Sequence, residues 1–88
     1  MAEKIVEALK EKKLLIGAKV VQQNLMTHSV KEIFLSANCS EQMRNKIKLQ
    51  AEIAKIPVTE LAQTSEEIGA VCKKPFAITV AAIRKTKD

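Results

Sequence analysis

Residues 32–36 read Glu32-Ile33-Phe34-Leu35-Ser36, a run of bulky apolar residues between two polar ones. Such a run is typical of a strand buried inside a sheet, which makes Phe34 a candidate core residue. In the preceding segment, 18–27, Val21 and Leu25 lie four positions apart and predict an amphipathic helix. In the following segment, Ser40 is a suitable N-cap for a longer helix running to about residue 55. A buried strand between two helices is therefore expected.

The same alternation continues in both directions along the chain. A capping box of Thr64 and Glu67 predicts the start of a further short helix. The other predicted elements are a helix over 3–12, strands over 14–16, 57–61 and 77–83, and a polar tail over 84–88. Strands that alternate with helices predict a layered α/β fold with helices on both faces of the sheet.

Length and composition limit the classes of protein to consider. The 88 residues, 47% of them hydrophobic and 2% aromatic, suit one domain over residues 1–88 with a core of aliphatic residues and alanine. No apolar run approaches transmembrane length, and the amino terminus lacks the apolar region of a secretory signal, so a soluble intracellular protein without a membrane partner is expected. Cys39 and Cys72 form no CxxC pair, and both are expected to be reduced.

The charge pattern favours a polyanionic partner. The formal net charge is +5, and thirteen of the fifteen basic residues are lysine. Lysine is a point charge suited to phosphates, whereas the reading of base edges usually needs arginine. Phosphate contact is therefore expected more than sequence-specific duplex recognition.

Catalytic patterns have little support in this sequence. His28 is the single histidine, and it lies where a helix C-terminal cap is expected. No serine or cysteine has a histidine partner at a known spacing, and the two glycines form no phosphate-binding loop. One histidine distant from both cysteines does not match the ligand spacing of a zinc site. The sequence therefore predicts no enzyme activity, no cofactor, no metal and no small-molecule substrate.

The segment Ile68-Gly69-Ala70-Val71-Cys72-Lys73-Lys74-Pro75-Phe76 carries the most specific functional signal. It joins a helix end to a basic turn that closes on one of the two aromatic residues. A ring beside fixed positive charge suits an unstacked nucleotide, because bases stack on aromatics and phosphates attract cations. The alternative is that Phe76 begins the last strand and faces the core.

Two strand-to-helix junctions could belong to the same site. In Gly17-Ala18-Lys19, free helix N–H groups and one lysine would hold a phosphate or a base edge; the alternative is a plain turn. Asn38, before the third helix, could bond RNA or stabilise its own loop. The basic residues of the third helix more simply form a solvated face; they are Arg44, Lys46, Lys48 and Lys55.

With Gly17-Ala18-Lys19, Leu35-Ser36-Ala37-Asn38-Cys39 and Ile68–Phe76 in this order, the chain resembles the L7Ae/L30e family of ribosomal and kink-turn RNA-binding proteins, and within it the L30e branch of the large subunit. The resemblance covers Ile5 to Ile83. It implies a three-layer α/β/α sandwich with a four-stranded mixed sheet, and binding of a kinked RNA by the start of helix two and the loop before the last strand.

Carried over by position, the resemblance implies contacts to RNA from a defined set of residues. Gly17, Ala18 and Lys19 would contact the RNA through the backbone and one charge, with Asn38 at the edge of the surface. The wall against a flipped-out base would be Val71, Cys72, Lys74, Pro75 and Phe76. Gln23 completes the predicted set, although the family usually carries lysine there.

The chain departs from the family pattern at several positions. Val20 stands where glutamine or glutamate usually reads a base edge, and His28 and Lys73 replace turn glycines. These departures favour a diverged ribosomal protein held partly by neighbouring proteins, or one that binds an altered RNA. Two alternatives stay open: a core subunit of a non-ribosomal RNA–protein particle, and a protein-binding adaptor in which Val20 and Val71 line the groove.

Overall fold

A computed structural model describes residues 3–85, in which four helices and four strands alternate. The helices are α1 (Glu3–Lys10), α2 (Ala18–Met26), α3 (Glu41–Ala54) and α4 (Ser65–Val71). The strands are β1 (Leu14–Ile16), β2 (Val30–Leu35), β3 (Val58–Glu60) and β4 (Val80–Arg84). The predicted alternation of helices and strands is confirmed.

The strands form one mixed sheet in the order β1-β4-β2-β3. β4 pairs antiparallel with both β1 and β2, whereas β3 pairs parallel with β2. In the centre, Ile33 lies opposite Ala82 on one side and Val58 on the other. Residues 33–35 are apolar because this stretch has a strand on each edge and a helical layer on each face.

The two faces of the sheet carry separate apolar clusters. Ile33 and Leu35 point toward α2 and α3, where they pack with Val21, Leu25, Ile47 and Ala51. Phe34 points to the opposite face and packs with Ile5 of α1 and Ile68 of α4. This alternation follows from the two-residue period of a strand. The fold is the expected three-layer α/β/α sandwich.

Both predicted N-terminal helix caps are present. The Ser40 hydroxyl accepts a hydrogen bond from the Met43 N–H (3.2 Å), which starts α3. At α4, the Glu67 N–H donates to the Thr64 hydroxyl (3.2 Å), while the Thr64 N–H donates to the Glu67 carboxylate (2.8 Å). These bonds satisfy N–H groups that a helix start leaves without partners.

The last strand differs from its predicted range at both ends. It starts at Val80 rather than at residue 77, because the Ile78 N–H donates to the Ser65 carbonyl (2.9 Å) of α4 and not to a neighbouring strand. It also runs one residue further, to Arg84, and the Lys85 N–H donates to the Ser29 carbonyl (2.6 Å). The tail expected over 84–88 is thus wrong for its first two residues, which are anchored; residues 86–88 lie outside the described range.

The remaining boundaries shift by one or two residues. α1 ends at Lys10 because Lys12 adopts a left-handed conformation (φ 60°), and β2 starts at Val30 rather than at Glu32. No helix within residues 3–85 combines the length and apolar character needed to cross a bilayer.

Candidate nucleic-acid interface

Three loops meet at one end of the sheet, where β1 and β2 end and β4 begins. The Gly17 N–H, after β1, donates to the Val80 carbonyl (2.9 Å). The Ser36 N–H, after β2, donates to the neighbouring Thr79 carbonyl (3.0 Å). The segment that precedes β4 therefore lies between the other two loops and holds both through its backbone.

These loops enclose a shallow groove of about 690 Å³, which we call the loop groove. Four residues of the predicted RNA site line it: Gly17, Ala18, Asn38 and Phe76. Ser40, Met43 and the residues 77–80 complete the lining together with Ile16. Residues from three separate parts of the sequence thus share one concave surface.

The amino terminus of α2 opens onto the loop groove without a side-chain cap. Gly17 is the N-cap, with φ 101° and ψ 143°, a conformation available almost only to glycine. The first helical hydrogen bond is from the Val21 N–H to the Gly17 carbonyl (3.0 Å), so the N–H groups of residues 18–20 have no partner within the helix. The first turn contains no acidic residue, and the exposed Lys19 adds a charge. This helix end can accept an anion or a carbonyl oxygen.

Phe76 lines the loop groove and is 53% exposed. The alternative in which Phe76 faces the core is therefore wrong, and Phe34 is the buried aromatic residue. The position of Phe76 depends on Gly69 of α4, because a Cβ atom at Gly69 would overlap the Phe76 carbonyl oxygen. The Lys74 N–H also donates to the Gly69 carbonyl (2.9 Å). The loop is thus held directly against the end of α4.

The remaining residues of the predicted wall have different environments. Lys74 and Pro75 are exposed and Val71 is partly buried, but the Cys72 side chain is only 2% exposed and packs with Ile68 and other residues of the α1–α4 layer. Burial raises the pKa of the Cys72 thiol, although the nearby Lys74 charge opposes that shift. As a correction, Cys72 supports the loop from inside and does not present its side chain to the groove.

Asn38 uses its side chain within the protein. The Ser65 N–H donates to its amide oxygen (2.8 Å), and its amide nitrogen donates to the Ser65 hydroxyl (3.1 Å). These two bonds connect the loop after β2 to the start of α4. Asn38 therefore shapes the groove by fixing this loop to α4. The sequence predicted only an RNA contact or a local turn for this residue.

Two predicted positions on α2 lie beside the groove rather than in its lining. Lys19 and Gln23 are exposed, one turn apart on the helix. Val20, between them in sequence, is 39% exposed and places an apolar surface near the amino terminus of α2. A ligand in the groove could extend along this side of the helix.

The basic residues of α3 only partly form the solvated face that was expected. Lys48 Nζ lies 2.7 Å from one Glu60 carboxylate oxygen, and Arg44 Nε lies 3.2 Å from the other. The hydrogen bond from Lys48, followed by its charge and that of Arg44, lowers the pKa of Glu60. These pairs connect α3 to β3, whereas Lys46 and Lys55 are exposed.

Sequence reasoning missed Met43 and Thr79 as groove residues. Met43 lies inside the predicted third helix and Thr79 inside the predicted last strand; no local pattern places either beside Gly17. Within residues 3–85 no group of three or more histidine, cysteine, aspartate or glutamate side chains is arranged to hold a metal ion.

The fold and the groove together define an α/β/α protein whose candidate binding surface is built from three loops at one end of a mixed sheet. The chain belongs to the ribosomal protein L7Ae/L30e/S12e/Gadd45 family, whose model matches residues 1–88. This confirms the resemblance found in the sequence.

Curated relatives point to one branch of that family. The large ribosomal subunit protein eL30 of Methanosarcina mazei is 34% identical over 79 residues, which cover 90% of this chain and 73% of that protein. The eL30 protein of Methanothermobacter thermautotrophicus is 31% identical over 75 residues, covering 85% of this chain and 76% of its own length.

Solved structures share the fold at lower sequence identity. A protein of unknown function from Bacillus halodurans has a TM-score of 0.82 at 19% identity, with 90% of this chain and 78% of that chain covered. The Giardia lamblia 15.5kD RNA binding protein has a TM-score of 0.81 at 14% identity, with 94% and 69% covered. At these identities the likeness supports the fold alone.

Proposed function

We propose that this protein is a non-catalytic RNA-binding protein of the large ribosomal subunit that binds a kinked, kink-turn-like rRNA element in the loop groove. The observation that carries the proposal is that an exposed aromatic ring, Phe76, and an uncapped helix amino terminus at Gly17 lie on one surface. Membership of a ribosomal protein family and the similarity to eL30 proteins support the choice of rRNA.

The mechanism divides recognition between the two sides of the groove. On one side, the N–H groups of the first turn of α2 and the Lys19 ammonium bind phosphate oxygens or a base edge. On the other side, an unstacked base packs against Phe76, with Pro75 and Val71 adding apolar contact and Lys74 a charge. Sharply bent RNA suits such a surface because some of its bases are already unstacked. The free-energy cost of unstacking a base then does not have to be met on binding.

Val20 and Gln23 limit how much of the base sequence can be read. A valine side chain makes no hydrogen bond to a base edge, and Gln23 contributes no charge to a phosphate. We therefore infer recognition through shape, stacking and backbone contacts. Neighbouring ribosomal proteins would then supply part of the stability of the complex.

The test removes the ring and its adjacent charge. Because loss of a stacked aromatic costs about 1–3 kcal/mol per base, Phe76→Ala combined with Lys74→Ala should weaken binding of a kinked internal-loop RNA about tenfold or more. Titration of labelled RNA measures this change. Met26→Ala, which removes a side chain that is also exposed and apolar but outside the loop groove, is the matched control. Unchanged affinity in the double variant would contradict the proposed surface.

The host particle requires a separate measurement. A cytoplasmic ribosomal protein should co-sediment with large subunits at moderate salt, whereas a subunit of another RNA–protein particle should sediment elsewhere. A protein-binding adaptor would show no steep fall of RNA affinity with salt, because such partners release far fewer condensed ions.

A further inference from the structure

A second concave surface lies at the opposite end of the sheet from the loop groove. Three of its lining residues are basic: Lys13, Arg84 and Lys85. The other four are polar: Asn24, Thr27, His28 and Ser29. None of these seven is acidic. This surface, of about 720 Å³, is here called the basic pocket.

We infer that the basic pocket is a second binding site for the phosphate backbone of the same RNA. The inference rests on the proposed function, because it assigns a further contact to the RNA held in the loop groove. It concerns phosphates alone, since the lining contains no phenylalanine, tyrosine or tryptophan on which a base could stack.

The backbone around the basic pocket is fixed before any ligand binds. The Arg84 N–H donates to the Lys13 carbonyl (2.7 Å), and the Lys85 N–H donates to the Ser29 carbonyl (2.6 Å). These bonds bring the start of β1, the start of β2 and the end of β4 together. The side chains of Lys13, Arg84 and Lys85 thus extend from anchored backbone positions, which reduces the entropy lost on binding.

The charges, rather than the hydroxyl groups, would hold the ligand. The Thr27 and Ser29 hydroxyls are 2.9 Å apart and also bond to nearby carbonyls, so their protons are partly in use. Lys13 Nζ lies 3.3 Å from the Glu11 carboxylate, and this partly exposed ion pair competes with a phosphate for the Lys13 ammonium group. Arg84 and Lys85 have no ion pair among the described residues, and both are exposed. They are the strongest candidates for phosphate contacts.

The distance between the two surfaces allows one RNA to contact both. β4 starts in the loop groove at Val80 and ends in the basic pocket at Arg84. At about 3.3 Å per residue, the ends of this five-residue strand are roughly 13 Å apart. α2 also spans both, from Ala18 to Thr27 just beyond its end. A folded RNA that enters the loop groove can place its neighbouring backbone along this side of the molecule.

The test compares two double variants with the same change in net charge. Arg84→Gln with Lys85→Gln removes two charges from the basic pocket, whereas Lys46→Gln with Lys55→Gln removes two exposed charges from α3 and the residue that follows it. RNA affinity is measured between 50 and 200 mM salt. Each lost phosphate contact lowers the slope of log K against log salt by about 0.7–0.9. We expect the magnitude of the slope to fall by about 1.4–1.8 in the pocket variant and by less than half of that in the α3 variant.

Further outcomes separate this inference from the proposed function. Phe76→Ala should lower the RNA affinity without changing the salt slope. If Phe76→Ala has no effect while the pocket variant binds RNA weakly, the loop groove proposal fails and the basic pocket is retained as an RNA-binding site. Equal salt slopes in the two double variants would overturn the inference that the basic pocket binds phosphate. The inference would also be overturned if the pocket variant bound RNA with unchanged affinity but no longer co-sedimented with ribosomal subunits. That result would indicate an acidic protein partner. Lys85→Glu, a single exposed reversal, provides the same test if the double variant folds poorly.

Discussion

At the scale of single residues, the two glycines have opposite requirements. Position 17 requires glycine for its backbone conformation, because a φ of 101° is unfavourable for any residue with a side chain, although the space around Gly17 is open. Gly69 is buried in α4 with ordinary helical backbone and needs its lack of a side chain, because the Phe76 carbonyl occupies the place of a Cβ. One glycine therefore exposes the α2 amino terminus, and the other positions the aromatic side of the groove.

Gly69→Ala should reverse the usual effect of this substitution in a helix. Alanine normally stabilises a helix interior by about 1 kcal/mol relative to glycine. Here the methyl group must displace the backbone of Phe76, and overpacking of this kind costs about 1–3 kcal/mol. We expect a lower free energy of unfolding in urea and weaker RNA binding. Ala70→Gly, at the exposed neighbouring position, measures the propensity effect alone; a stabilised Gly69→Ala variant would contradict the contact.

At the scale of elements, all four helices end in the same way without glycine. The residues after them in the left-handed conformation are Lys12, His28, Lys55 and Lys73, with φ between 56° and 60°. After α3, the Lys55 N–H donates to the Glu52 carbonyl (3.1 Å) and the Ile56 N–H to the Ala51 carbonyl (2.8 Å). This is the Schellman motif, in which glycine is usual. The backbone bonds offset the unfavourable conformation.

Lys55→Gly should stabilise the protein. A non-glycine residue in the left-handed region costs about 1–2 kcal/mol, and glycine removes this cost. The greater conformational freedom of glycine in the unfolded chain offsets part of the gain. We expect the midpoint of thermal unfolding to rise by a few degrees. Lys46→Gly, the same substitution inside α3, should lower it by a similar amount. A fall in both variants would show that the Lys55 side chain matters more than its backbone conformation.

At the scale of the whole molecule, one thiol lies in each apolar layer. Cys39 is 5% exposed on the α2–α3 face and Cys72 is 2% exposed on the α1–α4 face. Burial is the largest cause that raises the pKa of each thiol above its ordinary value of 9.0. Raised values favour the protonated folded state, so their contribution to stability is present below pH 9 and is lost as the pH rises through the folded-state values.

Both thiols should therefore react only when the layers separate. With a thiol-specific aromatic disulfide at pH 8, we expect slow labelling of the native protein and release of both thiols together along the urea unfolding curve. Rapid reaction of Cys72 alone in native buffer would contradict its burial and show that the loop before β4 opens independently. Cys72→Ala, which leaves only Cys39, assigns the two labelling rates.

The amino-acid sequence by itself determined the order of elements, the buried run 33–35 and the caps at Ser40 and Thr64. These features depend on periodicity and on bonds between residues three or four apart, so a short window of sequence contains them. Only the tertiary structure decided the strand order, the exposure of Phe76, the burial of Cys72 and the meeting of Lys13 with Arg84. Each of these depends on pairing between distant segments, where many arrangements satisfy the same local pattern and packing of the whole chain selects one.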